Sequence, residues 1–137
     1  LGYKYYMIDI MAAIGLTQLK RLPDLIKKRQ YIQKSYNDNL HEKIQRPIWS
    51  HTCQYYSCKV ESSIRNKLID YLASKNIHTS VHFKPLHLFP LLKQNRDYPV
   101  ADVEWEKSIT LPCHYGMSDD DINYVIYWVN RFMNKNI

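Results

Sequence analysis

Apolar residues recur at helical spacing from residue 9 to about residue 40. Leu16, Leu19, Leu22 and Leu25 return every third position, Ile26 widens the stripe, and charged residues fill much of the rest. Pro23 sits inside this pattern, where it either kinks the helix or opens a second one at its first turn. Asn37, Asp38 and Asn39 weaken the helix and Pro47 ends any continuation, so residues 41–51 read as a connection. Residues 52–60 alternate aromatic and polar side chains, which predicts a half-buried strand with Tyr56, Cys58 and Val60 on one face. Ser62 or Ser63 is placed to cap a following helix that buries Ile64, Leu68, Ile69 and Leu72 and ends near Asn76. Residues 78–83 then return as a strand, Pro85 and Pro90 bracket a loop, residues 100–107 form a short helix, and residues 108–111 form a short strand before Pro112.

The last element carries the strongest pattern. Ser118 is a natural N-cap, Asp119, Asp120 and Asp121 lie in the positively polarised first turn, and Ile122, Val125, Ile126, Val129, Phe132 and Met133 repeat at intervals of three and four. The sum is helix, strand, helix, strand, short helix, strand, helix. That order predicts a small sheet covered by helices, α/β in the broad sense, without internal repeats or low-complexity linkers.

At 137 residues the chain has the length of one domain with a modest core. It begins at Leu1 rather than methionine, so it is expected to start downstream of a natural start. The longest apolar stretch, residues 8–16, is broken by Asp9, is too short to cross a bilayer and follows no signal peptide, so the protein is expected to be soluble. Cys53, Cys58 and Cys113 form an odd set without scaffold spacing, favouring a reducing compartment, the cytoplasm. The net charge of +6 suits a phosphate-bearing substrate as well as a nucleic acid or an anionic membrane. Its one dense run, Lys27-Lys28-Arg29, reads as a solvated helix face.

The sharpest chemical cluster is His82-Phe83-Lys84-Pro85-Leu86-His87. Two imidazoles able to exchange protons near neutral pH and one ammonium flank a stiffening proline, a set suited to an anionic substrate. The plainer alternative is that His82 only hydrogen-bonds backbone and Lys84 only faces solvent. His82, His87, Cys113 and His114 are zinc-ligand types, but their spacing matches no compact zinc pattern, and Cys53 and Cys58 point to opposite faces of a strand, so no metal is expected. Cys113 and His114 are strand neighbours pointing apart, which favours core filling over nucleophilic catalysis. Gly2-Tyr3-Lys4-Tyr5-Tyr6-Met7 places a lysine and tyrosines just before a helix, where a phosphate can be met, although without a glycine-rich loop. RRM and KH signatures are missing, so no nucleic-acid partner is expected, and with no stretch able to cross a bilayer no membrane partner is expected either.

Three ordered stretches resemble the DegT/DnrJ/EryC1/StrS aminotransferases. Residues 2–22, Gly-Tyr-Lys-Tyr-Tyr-Met-Ile-Asp-Ile-Met-Ala-Ala-Ile-Gly-Leu-Thr-Gln-Leu-Lys-Arg-Leu, are similar to that family's G-Y-N-Y-R-M-x-D-I-x-A-A-I-G-x-x-Q-L. Residues 79–87, Thr-Ser-Val-His-Phe-Lys-Pro-Leu-His, resemble T-G-V-H-Y-x-P-L-H, and residues 110–121 resemble S-L-P-x-x-P-x-M-S-D-E-D.

The resemblance implies the C-terminal part of an aspartate-aminotransferase-like, fold-type I enzyme dependent on pyridoxal phosphate. Residues 1–40 would be a helical segment following the cofactor-binding large domain, and residues 41–137 a small α/β domain with a mostly antiparallel sheet covered by helices. It further implies transfer of an amino group from glutamate to a nucleotide-linked keto sugar, 4-keto ahead of 3-keto, for polysaccharide or glycan assembly, by a homodimer with shared active sites. The lysine that attaches the cofactor lies upstream in such enzymes, so this segment alone is expected to be inactive. Lys4 stands where the family usually has an asparagine reaching the cofactor phosphate of the neighbouring subunit, and is assigned cofactor contact. Tyr6 stands where an arginine is common, and tyrosine does not replace the arginine fork. Tyr6, His82, Lys84 and His87 are assigned to substrate contact or positioning, Lys84 toward a diphosphate. Two alternatives remain: a dehydratase of the same family with histidine in place of the upstream lysine, and a non-enzymatic basic module binding nucleic acid or protein.

Overall fold

The computed structural model describes residues 6–48, 52, 54–93 and 96–136. Its elements are α1 (Asp9–Asn39), β1 (Tyr56–Lys59), α2 (Ser62–Ala73), α3 (Pro99–Lys107), β2 (Ser108–Leu111) and α4 (Asp119–Asn136), with two short 3-10 turns, Leu86–Leu88 and Pro90–Leu92, ahead of α3.

β1 and β2 pair antiparallel, with Tyr56 opposite Leu111 and Cys58 opposite Ile109. Gln45 bridges the outer side of β1 through Lys59, and Ser80 bridges the outer side of β2 through Thr110, both antiparallel. The strand expected over residues 78–83 is therefore a single bridge at Ser80, because only Ser80 exchanges its N–H and C=O with Thr110. The expected strand over residues 52–60 is shorter, and within it Tyr56, Cys58 and Val60 are all buried, as the alternation requires.

Helices cover the sheet. α4 packs on both α1 and α2, and α3 packs on α2. The core joins Ile32, Tyr36 and Leu40 from the end of α1 to Leu68 and Leu72 of α2, Ile109 and Leu111 of β2, and the α4 stripe Ile122, Val125, Val129, Phe132 and Met133. Full burial of side chains this size stabilises by about 1.5–3 kcal/mol each, so the α4 stripe alone is a large part of what holds the helices to the sheet.

α1 departs most from the expected pattern. It runs unbroken through Pro23, so no second helix opens there. Leu16, Leu19 and Leu22, the first part of the leucine stripe, are exposed, together with Met7, Ile8, Ile10, Met11 and Ile14, and after the half-buried Ala12 burial resumes only at the half-buried Leu25 and Ile26. Nothing among the described residues lies over that first half of the helix.

Helix ends are set by specific bonds. Arg46 closes α1: its guanidinium donates to the carbonyls of Leu40 (2.6 Å), Ile44 (2.9 Å) and Asn37 (3.0 Å), and at 3.4 Å to those of His41 and Glu42. α2 has Glu61, not Ser62 or Ser63, at its N-cap, without a side-chain cap; both serines lie inside the first turn because the chain enters the helix straight from Val60, whose N–H is held by the Lys107 carbonyl. At its other end Asn76 takes a φ of 57°, and the Ile77 and Asn76 N–H groups return to the Leu72 and Ala73 carbonyls, a Schellman closure. At α4 the expected cap is present and reciprocal: Ser118 Oγ accepts from the Asp121 N–H (3.1 Å), while the Asp121 carboxylate accepts from the Ser118 N–H (2.8 Å) and hydroxyl (2.7 Å).

Candidate functional site

The end of β2 and the segments around it enclose a cavity of about 320 Å³, lined by Arg29, Gln54, Tyr55, His78, Ser80, His82, Thr110, Leu111, Pro112, Cys113 and His114. Five stretches of chain meet there. α1 brings Arg29, the residues before β1 bring Gln54 and Tyr55, the chain leaving α2 brings His78, Ser80 and His82, β2 brings Thr110, and the turn before α4 brings His114.

His82 is held on two sides. Its Nδ1 lies 3.1 Å from Thr110 Oγ1, and its ring stacks on Tyr55 with centroids 4.2 Å apart and planes 26° apart. Phe83 meets both rings edge-on, and the peptide joining His82 to Phe83 is cis. The partner of Nδ1 is thus a threonine hydroxyl rather than backbone, which leaves Nε2 as the nitrogen that can serve a ligand.

Beneath the cavity, Tyr36 donates its hydroxyl to the Pro112 carbonyl (2.8 Å) and stands edge-on to Tyr56, and burial pushes its phenol well above the usual range. Cys58 on β1 is buried beside the Ile109 carbonyl, and desolvation raises its thiol to about 12, which makes it a packing group and no nucleophile. Cys113 is half-buried against the core, in keeping with core filling. Asp121, near His114, is held below the ordinary carboxylate range by the Ser118 hydroxyl and then by the Ser118 N–H. No group of three or more histidine, cysteine or carboxylate side chains is arranged for a metal ion among the described residues.

The candidate residues do not all converge. His87 lines a different cavity of about 630 Å³, with Pro85, Leu86, Leu91, Leu92, Lys93, Tyr98 and Ala101. Its Nε2 is bound by the Asp102 carboxylate at 2.8 Å and its ring tilts against Tyr98 at 4.8 Å, so it ties the 3-10 segment to α3. Lys84 is exposed between the two cavities in sequence and sits 5.3 Å over the Phe89 ring. Tyr6 is 79% exposed ahead of α1, and Lys4 lies outside the described residues.

Arg29 was hidden in the basic run. Lys27 is exposed, while Lys28 and Arg29 are both half-buried, Lys28 pairing with Asp119 at 3.4 Å and Arg29 standing in the cavity wall. The signal for it was present: Arg29 precedes Ile32 by three residues, Gln33 by four and Tyr36 by seven, which puts it on the buried face of the helix.

The sequence model of the DegT/DnrJ/EryC1/StrS aminotransferase family matches residues 1–130. The chain belongs to this family. Among its relatives, an uncharacterized protein of Methanocaldococcus jannaschii is 37% identical over 98% of this chain and 39% of its own length. GDP-perosamine synthase of Escherichia coli O157:H7 is 32% identical over 96% of this chain and 38% of its own length. The putative sugar aminotransferase Spr1654 of Streptococcus pneumoniae, in its PMP form, superposes with a TM-score of 0.91 at 33% identity, covering 99% of this chain and 37% of that one; its PLP form gives 0.90. The chain therefore spans about two fifths of the length of these relatives, and its fold is that of the corresponding part of aminotransferases of this family. No described helix is long and apolar enough to cross a membrane.

Proposed function

We propose that the complete protein is a pyridoxal-phosphate-dependent aminotransferase that moves an amino group from glutamate to the 4-keto carbon of a nucleotide-linked sugar, and that this chain supplies the small-domain wall of its active site. The observation that carries the reading is the family match over residues 1–130, together with a relative named as a GDP-perosamine synthase and a solved neighbour named as a putative sugar aminotransferase. A cytoplasmic location fits a substrate of that kind.

The cofactor fits this chain as a neighbour rather than as a covalent guest, because no lysine is among the residues lining the cavity around His82. When bound, pyridoxal phosphate supplies the electron sink through which an amino group passes between an amino acid and a keto carbon. The residues of this chain bind, orient and exclude water. Tyr55 and Thr110 fix the plane and position of His82, leaving Nε2 free to hold a proton at a substrate oxygen. Lys84, exposed beside it in sequence, is a point charge for the diphosphate, and His87, held by Asp102, positions the loop between them.

Tyr6 and Lys4 act elsewhere. Asp9 and Arg29 are twenty residues apart on one helix, roughly 30 Å of rise, so Tyr6 cannot reach the His82 cavity of its own chain. This separation supports a homodimer in which the segment before α1 completes the partner's site, with Lys4 meeting the cofactor phosphate. The leucine stripe of α1 would then be covered by the large domain and the dimer contact, with residues 1–40 as the connecting helix and residues 41–137 as the small domain.

The test uses the full-length protein. Incubation with pyridoxal phosphate, borohydride reduction and peptide mapping are expected to place the cofactor on a lysine upstream of this segment. Nitrogen-15 glutamate is expected to deliver its label to C4 of a nucleotide 4-keto sugar. Absence of both the adduct and the label transfer would overturn the proposal, as would an attachment-site histidine with sugar dehydration.

A further inference from the structure

We infer that the cavity walled by Arg29, His78, His82 and His114 is a subsite for a small oxyanion, a carboxylate or phosphate group, with Arg29 as its principal ligand. This deepens the proposed function and rests on it for the identity of the molecule that carries the group. Arg29 is always cationic and has five N–H donors, yet its Nε is buried without a hydrogen-bond partner and it joins no ion pair among the described residues. Gln33, one turn further along α1, also has an unpartnered buried Oε1, so the guanidinium is not spent on its nearest amide. A desolvated donor of this kind is costly unless an acceptor arrives, and no carboxylate is among the residues lining the cavity.

The rest of the wall is matched to the same ligand. Ser80 and Gln54 offer hydroxyl and amide hydrogens, and three imidazoles share the wall with Arg29, with His82 already anchored through Nδ1 to Thr110. One acid, Asp121, lines the adjoining cavity with His78 and His114, and its Oδ2 accepts from both the Ser118 N–H and the Ser118 hydroxyl. Asp119, the other acid near this end of α1, is paired with Lys28. A guanidinium in a half-enclosed wall is screened less than a surface charge, so an oxyanion entering there meets a fixed positive field with donors in place.

The experiment titrates the full 137-residue chain with inorganic phosphate and, separately, with glutarate, following the imidazole carbon–proton resonances. Phosphate stands for the phosphates of a nucleotide and glutarate for the carboxylates of an amino donor. Either ligand is expected to shift His78, His82 and His114 saturably, and to leave His41 and His87 in place. Arg29→Gln is expected to weaken binding at least about tenfold, Arg29→Lys to recover most of it, and Lys67→Gln, which removes one charge from the surface, to change nothing. His114→Gln is the second probe should Arg29→Gln fail to give a folded circular dichroism spectrum, with a loss of about threefold expected from an exposed ligand. Preference for glutarate assigns the amino-donor carboxylate and preference for phosphate assigns the nucleotide. The inference is overturned if neither anion binds up to about 50 mM, if His41 and His87 move as much as His78, His82 and His114, or if Arg29→Gln binds as tightly as the parent chain. Failure here with label transfer intact in the full-length enzyme removes only this subsite. Loss of label transfer with anion binding intact removes the aminotransferase reading instead.

Discussion

Replacing Arg46 with alanine removes a clamp that joins the long helix to the body of the domain, and its cost follows from the bonds it makes. Three of its contacts, to the carbonyls of Leu40, Ile44 and Asn37, fall at 2.6–3.0 Å, well within hydrogen-bond range, while those to His41 and Glu42 at 3.4 Å are marginal. Charge-assisted bonds contribute about 1.5–3 kcal/mol each when the freed group stays dry. Arg46 is only half-buried, so water can reach the released carbonyls, and about 1 kcal/mol for each short bond is the fitting value. The expected loss is therefore about 3 kcal/mol, part of it the attraction between the cation and the negative end of α1, which has no basic residue of its own in its last turn. For a domain of this size that corresponds to a fall in Tm of roughly 10 °C. Urea unfolding followed by circular dichroism at the helical band measures it, with the slope unchanged and the midpoint lowered. Arg46→Lys, which keeps a charge but not the planar fork, is expected to recover less than half of the loss. A change below about 0.5 kcal/mol for Arg46→Ala, the size of an ordinary surface substitution, would refute the assignment of Arg46 as the closure of α1.

Tyr36→Phe leaves the Pro112 carbonyl without its donor beneath the His82 cavity, and a loss of about 1–3 kcal/mol in the same urea assay is expected. Cys58, fully buried and with its thiol raised to about 12, should resist a thiol reagent at pH 8 in the native state and react once urea unfolds the chain; native-state labelling at the rate of a free thiol would contradict its placement. Asp121 has its folded-state pKa below its unfolded one, so its cap contributes fully above the ordinary carboxylate range and is lost as pH falls through the depressed value. Asp121→Asn should accordingly remove part of the acid-side slope of the melting temperature while changing little of that slope near neutrality.

Legibility followed how local the determining contacts are. α4 could be read almost entirely, because its cap is a three-residue relation between Ser118 and Asp121 and its stripe repeats five buried positions on a single face. The serine pair before α2 misled, since Ser62 and Ser63 look like caps until the chain direction out of Val60 carries the helix start to Glu61. Residues 78–83 carry strand-forming side chains, yet pairing requires a partner edge, and β2 supplies it only at Ser80. The leucine stripe marked a helix, yet Leu16, Leu19 and Leu22 stay exposed, because periodicity marks a face that seeks cover without saying which polypeptide covers it. At the site, the motif singled out His82, which lines the cavity. His87, five residues on, was expected beside it, but the 3-10 turn after Pro85 carries it to Asp102 and another cavity. Arg29 was misread because a run of three cations suggests a wetted surface, although only a helical wheel extended to Tyr36 reveals which of the three turns inward.

Pro23 gives the long helix a mechanical character. Having no N–H, it leaves the Leu19 carbonyl without a helical donor, and Leu19 is exposed, so water can satisfy that oxygen and the joint bends at little cost. From Asp9 to Pro23 the helix rises roughly 21 Å, and a deflection of about 10° would carry its tip through nearly 4 Å. Whatever is joined to that end rides on a tiller whose pivot lies less than two turns from Arg29, so that a small change of angle at one proline is magnified into an ångström-scale swing of the chain beyond.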